Sequence, residues 1–198
     1  MEKELKLKFA ETLCKLEGKE YLEAMIAFAA APTIQGRKPA ALMSFTSYGR
    51  NTALLWKLYG SEICERFQVE FYLLKKEKDG LKVLIYRRRL LEWYVNHIRN
   101  QSFLNRMGYG FGVLLDQNLV ILKKRFKELC PHEVGIFLGI PVEDVEGFIE
   151  NKGKNCLMCR YWKVYENQRR AERLFDAYDK ARTSMVKLLV EKHKALNK

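Results

Sequence analysis

Residues 130–165 read CPHEVGIFLGIPVEDVEGFIENKGKNCLMCRYWKVY, from Cys130 to Tyr165, and hold a Cys-x-x-Cys, a Cys-Pro-His-Glu and an abrupt reversal of charge. Pro131 suits the first turn of a helix, where its missing N–H costs nothing, and Glu133 favours the positive end of a helix dipole. That helix is expected to end at Gly139. Pro141 opens a second one, with Val142, Val145, Phe148 and Ile149 inward and Glu143, Asp144, Glu146 and Glu150 facing water. Two helices joined by Gly-Ile-Pro read as a packing corner, because a DNA-reading helix with four carboxylates would be repelled by phosphates. Residues 157–165 then alternate as a strand does.

Working outward, residues 67–74 are apolar and aromatic, 75–80 end in Asp-Gly, and 81–86 alternate back, which predicts an antiparallel hairpin. The 157–165 strand is expected to join it, with residues 41–45 as a further short strand. Helices are expected around this sheet. The first carries Leu5, Phe9, Leu13 and Leu16 before Gly18, and the second runs over 20–31 until Pro32 stops it. A loop over 32–39 follows, then a helix over 51–59 before Gly60, with Ser61 opening another turn that holds Cys64. Further helices run from the arginines at 87–89 through Met107 and from a cap at Asp116 to Leu129. The last runs from Asn167 nearly to residue 198, with a stripe of Ala171, Leu174, Tyr178, Ala181, Met185 and Leu188.

The fold class is therefore α+β: a mostly helical single domain over 1–166 with a small antiparallel sheet, and a long C-terminal helix over 167–198. That helix either packs on the domain or projects from it, and it offers a homodimer contact. Arg87, Arg88 and Arg89 point in different directions on a helix, so they do not serve one ligand together. Gly108-Tyr-Gly-Phe-Gly112 matches neither the dinucleotide fingerprint nor the Walker spacing.

With 198 residues, 48% hydrophobic and 12% aromatic, the chain has enough apolar surface for a sizeable core, which excludes a disordered protein. The longest apolar run, 24–31, is too short to span a bilayer and the start lacks a signal-peptide core, so a cytoplasmic protein without a membrane partner is expected. Five scattered cysteines are no secreted disulfide framework, and reduced thiols are the expectation. The net charge is +12. Residues 131–150 hold five acids and no Lys or Arg, while 151–170 hold six basic residues and one acid. The two halves are expected to neutralise each other, with the remaining excess attracting anionic partners.

The motifs Pro-His-Glu-Val-Gly-Ile-Phe-Leu-Gly at 131–139, Val-Glu-Asp-Val-Glu-Gly-Phe-Ile-Glu-Asn-Lys-Gly-Lys-Asn at 142–155 and Tyr-Trp-Lys-Val-Tyr at 161–165 resemble one bacterial family. It is the clostridial domain-of-unknown-function family 3793. Ala-Pro-Thr at 31–33 and Arg-Lys-Pro-Ala at 37–40 extend the likeness over most of 25–178. The resemblance implies no particular reaction. It does imply a cytosolic companion of iron uptake and flavodoxins in anaerobes, and so an acidic protein as partner.

Two constellations carry the candidate chemistry. Arg37, Lys38, Lys152, Lys154 and Arg160 lie in loops and turns near glycines, an arrangement suited to a phosphate or carboxylate if the two loops converge. Cys130, His132, Cys156 and Cys159 have the count and ligand types of a tetrahedral zinc site, and iron or haem is the related reading. That set ranks below the cations, because Cys130 and His132 are spaced i, i+2 and aromatic, strand-like sequence follows the Cys-x-x-Cys. The structural alternative for these thiols is packing as small apolar side chains near Trp162. His132 beside Glu133 invites an acid–base reading, although adjacent helical residues do not face each other.

Three functions stay open: a non-catalytic module whose basic surface engages an acidic protein or small anion, a metal, haem or redox protein built on the cysteines, and an RNA- or DNA-binding protein. Whether the chain is an enzyme is not decided by its residues.

Overall fold

The computed structural model describes residues 3–127 and 130–196. At its centre are three antiparallel strands, β1 (Ala40–Thr46), β2 (Glu70–Glu77) and β3 (Gly80–Tyr86), in the order β1-β3-β2. The alternation in β3 sends Leu81, Val83 and Ile85 to one face, where they pack with Phe45, Trp56 and Ile63. Leu84 and Tyr86 go to the other face, with Leu91, Phe103 and Phe137. A middle strand covered on both sides must be apolar almost throughout, which is why β3 has the composition it has. The expected hairpin is present, with Asp79 in its turn. Its β2 arm runs on to Glu77, and the register shifts between Leu73 and Lys75, next to buried Leu74.

Ten helices are present among the described residues: α1 (Lys3–Lys15), α2 (Gly18–Ala29), α3 (Ala31–Ile34), α4 (Thr52–Arg66), α5 (Arg88–Val95), α6 (Ile98–Arg106), α7 (Leu115–Arg125), α8 (Val134–Phe137), α9 (Val142–Glu150) and α10 (Gln168–Leu196). α2 and α4 cover one face of the sheet, and residues of α5 to α9 form the core against the other. No described helix is long and apolar enough to cross a membrane.

Several expectations are corrected. The third strand of the sheet is β1, which pairs with β3 from Ala40↔Tyr86 to Thr46↔Gly80. Residues 157–165 instead fold on themselves as a two-stranded ribbon, β4 (Met158–Cys159) and β5 (Lys163–Val164). Pro32 does not open a loop but lies in the first turn of α3, where no N–H is needed. Gly60 lies inside a continuous α4, and the helix expected over 87–107 is broken between Val95 and Ile98. Asp116 is in the first turn of α7 but does not cap it; its carboxylate binds Arg88 at 3.0 Å. Leu129, the expected end of that helix, lies outside the described residues.

The arginine triplet divides as its spacing predicts, although two of the three are structural. Arg87 donates to the carbonyl oxygens of Thr33 and Ile34 at the end of α3. Arg88 bridges Glu70 on β2 and Asp116 on α7. The apolar stripe of α10 is covered within the chain. Ala171, Phe175 and Tyr178 pack on Trp162 and Val164 of the ribbon, while Val186 and Val190 meet Phe9 of α1. Leu188, read as part of the stripe, is exposed.

Candidate functional site

Asp144 organises the signature stretch. Read as water-facing, it is only 3% exposed, because it stands four residues before Phe148 and so shares its face. A buried carboxylate must be satisfied. Asp144 accepts from the Trp162 indole N–H at 2.7 Å, from the Tyr165 backbone N–H at 2.7 Å and from the Glu166 backbone N–H at 3.3 Å. These bonds hold the ribbon against α9.

Between α8, α9 and this ribbon lies a groove of about 500 Å³. Val134, Leu138, Val145, Phe148 and Trp162 give it an apolar lining; Cys130 and His132 line it from the α8 side, Cys159, Arg160 and Lys163 from the ribbon. Apolar walls with a few polar groups are the usual make-up of a ligand site. Lys163 donates to the Gly153 carbonyl at 2.6 Å and lies 6.0 Å from the Phe148 ring centroid, with no carboxylate among the described residues in ion-pair contact. Arg160 is held by Asp179 at 2.6 Å and Asp176 at 3.4 Å on α10. A second cavity, of about 360 Å³ beside Trp93 and Tyr94, has its charges internally paired, since Arg99 and Arg170 both face Glu143.

The structure thus brings Cys130, His132, Cys159 and Arg160 to one groove. Cys156 is not in its lining, and among the described residues no three His, Cys, Asp or Glu side chains gather in a group that could hold a metal ion. All five thiols are free; Cys130, Cys159 and Cys14 are exposed and Cys64 is buried. His132 and Glu133 diverge. The imidazole lies 5.3 Å from the Phe148 ring, whereas the buried Glu133 carboxylate accepts from Arg125 and, at 3.3 Å, from the Tyr109 hydroxyl. Burial and Glu133 raise the Tyr109 phenol well above its ordinary pKa.

The loop cations are not gathered at one point. Lys38 lies at the start of the α8–α9 corner, where Pro39 packs so closely on Gly139 that a Cβ there would come within 2.5 Å of the ring. Lys152 and Lys154 follow the other end of α9, whose nine residues span about 13 Å. Arg37 is exposed. The acids of 131–150 are not neutralised mainly by the basic stretch that follows them. Glu133 pairs with Arg125, Glu146 with Arg106 and Glu143 with Arg99, while Arg170 reaches Glu143 only at 4.0 Å. Among the described residues, Lys152, Lys154 and Lys163 are consequently left without a carboxylate.

Lys163, Tyr161 and Arg182 were absent from the candidates drawn from the sequence. Arg182 carried a readable signal: it stands four residues after Tyr178 and three before Met185, so it interrupts an apolar face.

The fold and groove define a class: an α+β protein with helices on both faces of a three-stranded antiparallel sheet and a ligand-sized groove beside a basic ribbon. The family model described as "Protein of unknown function (DUF3793)" matches residues 26–197, and the chain belongs to that family. No curated protein and no solved structure matches it.

Proposed function

We propose that this protein is a non-catalytic binding module that takes a small amphipathic anion in the groove. Lys163 carries this reading: an ammonium that no carboxylate among the described residues pairs with stands against the Phe148 ring at the edge of an apolar channel. An apolar body would cover Leu138, Val145 and Phe148, while a carboxylate or phosphate would exchange water for Lys163. The net charge of +12 draws anions toward the protein before contact.

Decanoate titrated against displacement of anilinonaphthalene sulfonate tests this. Saturable decanoate binding is expected, weakened at least fivefold by Lys163→Met and lost in Leu138→Trp, which fills the channel. Binding of decan-1-ol should be unchanged in Lys163→Met. Absence of saturable binding, or equal binding by Leu138→Trp, would remove the proposal.

A further inference from the structure

Lys38 and Arg182 line no part of the groove, and they raise a separate problem of charge. The loop after α3 is fixed by the Pro32 carbonyl, which accepts from the backbone N–H of Arg37 at 2.7 Å and of Lys38 at 3.1 Å. From there the Lys38 side chain runs toward α10, placing its ammonium 5.8 Å from the Tyr178 ring centroid. One helical turn on, the Arg182 guanidinium lies 4.9 Å from the Tyr161 ring and 5.4 Å from Phe28. Tyr161 and Tyr178 meet edge to face at 5.4 Å, so the four side chains form one cluster.

Neither cation makes an ion pair among the described residues. The carboxylate nearest in sequence to Arg182, Asp179, is engaged by the Tyr161 hydroxyl at 2.7 Å and by Arg160 at 2.6 Å. The buried Nε of Arg182 has no hydrogen-bond partner among the described residues. Buried cations normally have a counter-charge, and an unpaired buried donor is rare. Aromatic faces attract cations but do not neutralise them. Burial, and then the charge of Arg182, hold the Lys38 amine down at about 8. As whole residues, Lys38 and Arg182 are half-buried rather than fully enclosed.

We infer that Lys38 and Arg182 form a site for a phosphate dianion, either inorganic phosphate or the phosphate of an ester. A dianion matches the two charges at once, and its oxygens can accept from the Lys38 ammonium and from the Arg182 guanidinium. A carboxylate would leave one of the two charges uncompensated. The inference does not rest on the groove, and its test uses different probes.

Calorimetric titration with inorganic phosphate and with phenyl phosphate, at constant ionic strength in chloride and pH 7, decides it. Saturable binding is expected for at least one probe, at least tenfold weaker in Lys38→Met and in Arg182→Leu and unchanged in Arg37→Ala, which alters an exposed cation of the same loop. Lys38→Met removes a buried charge, and its thermal transition is expected at or above that of the wild type, so lost binding would not reflect lost folding. Phenyl phosphate binding at least tenfold tighter than inorganic phosphate assigns the site to an ester; equal or weaker binding assigns it to the free ion. No saturable binding of either probe, or binding that survives Lys38→Met, overturns the inference.

Discussion

Asp144 on α9 accepts a 2.7 Å hydrogen bond from the indole N–H of Trp162, where the α8–α9 corner meets the β4–β5 ribbon. The same carboxylate takes the backbone N–H of Tyr165. One side chain thus closes the groove on the ribbon side. Asp144→Ala strands these donors in a buried position and is expected to destabilise the fold by about 2–4 kcal/mol in urea unfolding. Trp162→Phe loses one bond and some packing, and its cost should be smaller. An Asp144→Ala cost under about 0.5 kcal/mol, within the range of surface substitutions, would show that water replaces the carboxylate freely.

Gly60 lies inside α4, where alanine is intrinsically favoured by about 1 kcal/mol. A Cβ there would meet the Trp56 ring at 2.7 Å. That ring is stacked on Phe45 at 4.5 Å and meets Phe71 edge-on at 5.2 Å, so it has little room to yield. Overpacking typically costs about 1–3 kcal/mol, so Gly60→Ala is expected to lower stability despite the better helix former. A raised melting temperature would show that Trp56 repacks easily.

The Lys38 amine, held at about 8 in the folded protein, titrates near its ordinary 10.5 when unfolded. Between those values the unfolded chain binds the extra proton, so this group's contribution to stability rises with pH across that window. Below about pH 8 both states are protonated and the full penalty of the buried charge is present. Arg182 and Tyr178 on α10 are the groups facing it. Lys38→Met should therefore stabilise the phosphate-free protein by roughly 1–3 kcal/mol at pH 6.5, and by clearly less at pH 9.5. Paired urea unfolding curves at the two pH values measure the difference; a gap that does not narrow would mean that Lys38 is not desolvated.

Cys64 is buried in α4, and burial pushes its thiol up to about 12. Thiolate is the reactive form, so a disulfide reagent at pH 8 should modify exposed Cys14, Cys130 and Cys159 first and reach Cys64 only on unfolding. Modification of Cys64 at the rate of Cys159 in the native protein would reveal opening of α4.

The local signals in the sequence were sufficient for local structure. Period-two alternation around Asp79-Gly80 marked the hairpin, and the α10 stripe from Ala171 to Met185 marked a long helix, because both patterns are set by neighbours a few residues apart. The α+β class followed from them. Partner choice did not. Residues 40–46 and 157–165 both alternate, yet only the first pairs with β3, from about forty residues upstream, while the second closes on itself. Which strand wins depends on how the helices close over the sheet, a cost and gain spread over distant residues.

The candidate site divides in the same way. Residue type and loop context were enough to single out Lys38, Arg160, Cys130, His132 and Cys159, since charge and thiols in turns are legible one residue at a time. The carboxylates assigned to each cation were decided only in three dimensions. Arg160 is held by Asp176 and Asp179, whereas Lys163 and Lys38 have none among the described residues. Asp144 is the clearest case: its composition says surface, and only the approach of Trp162 and Tyr165 supplies the donors that let a carboxylate remain buried.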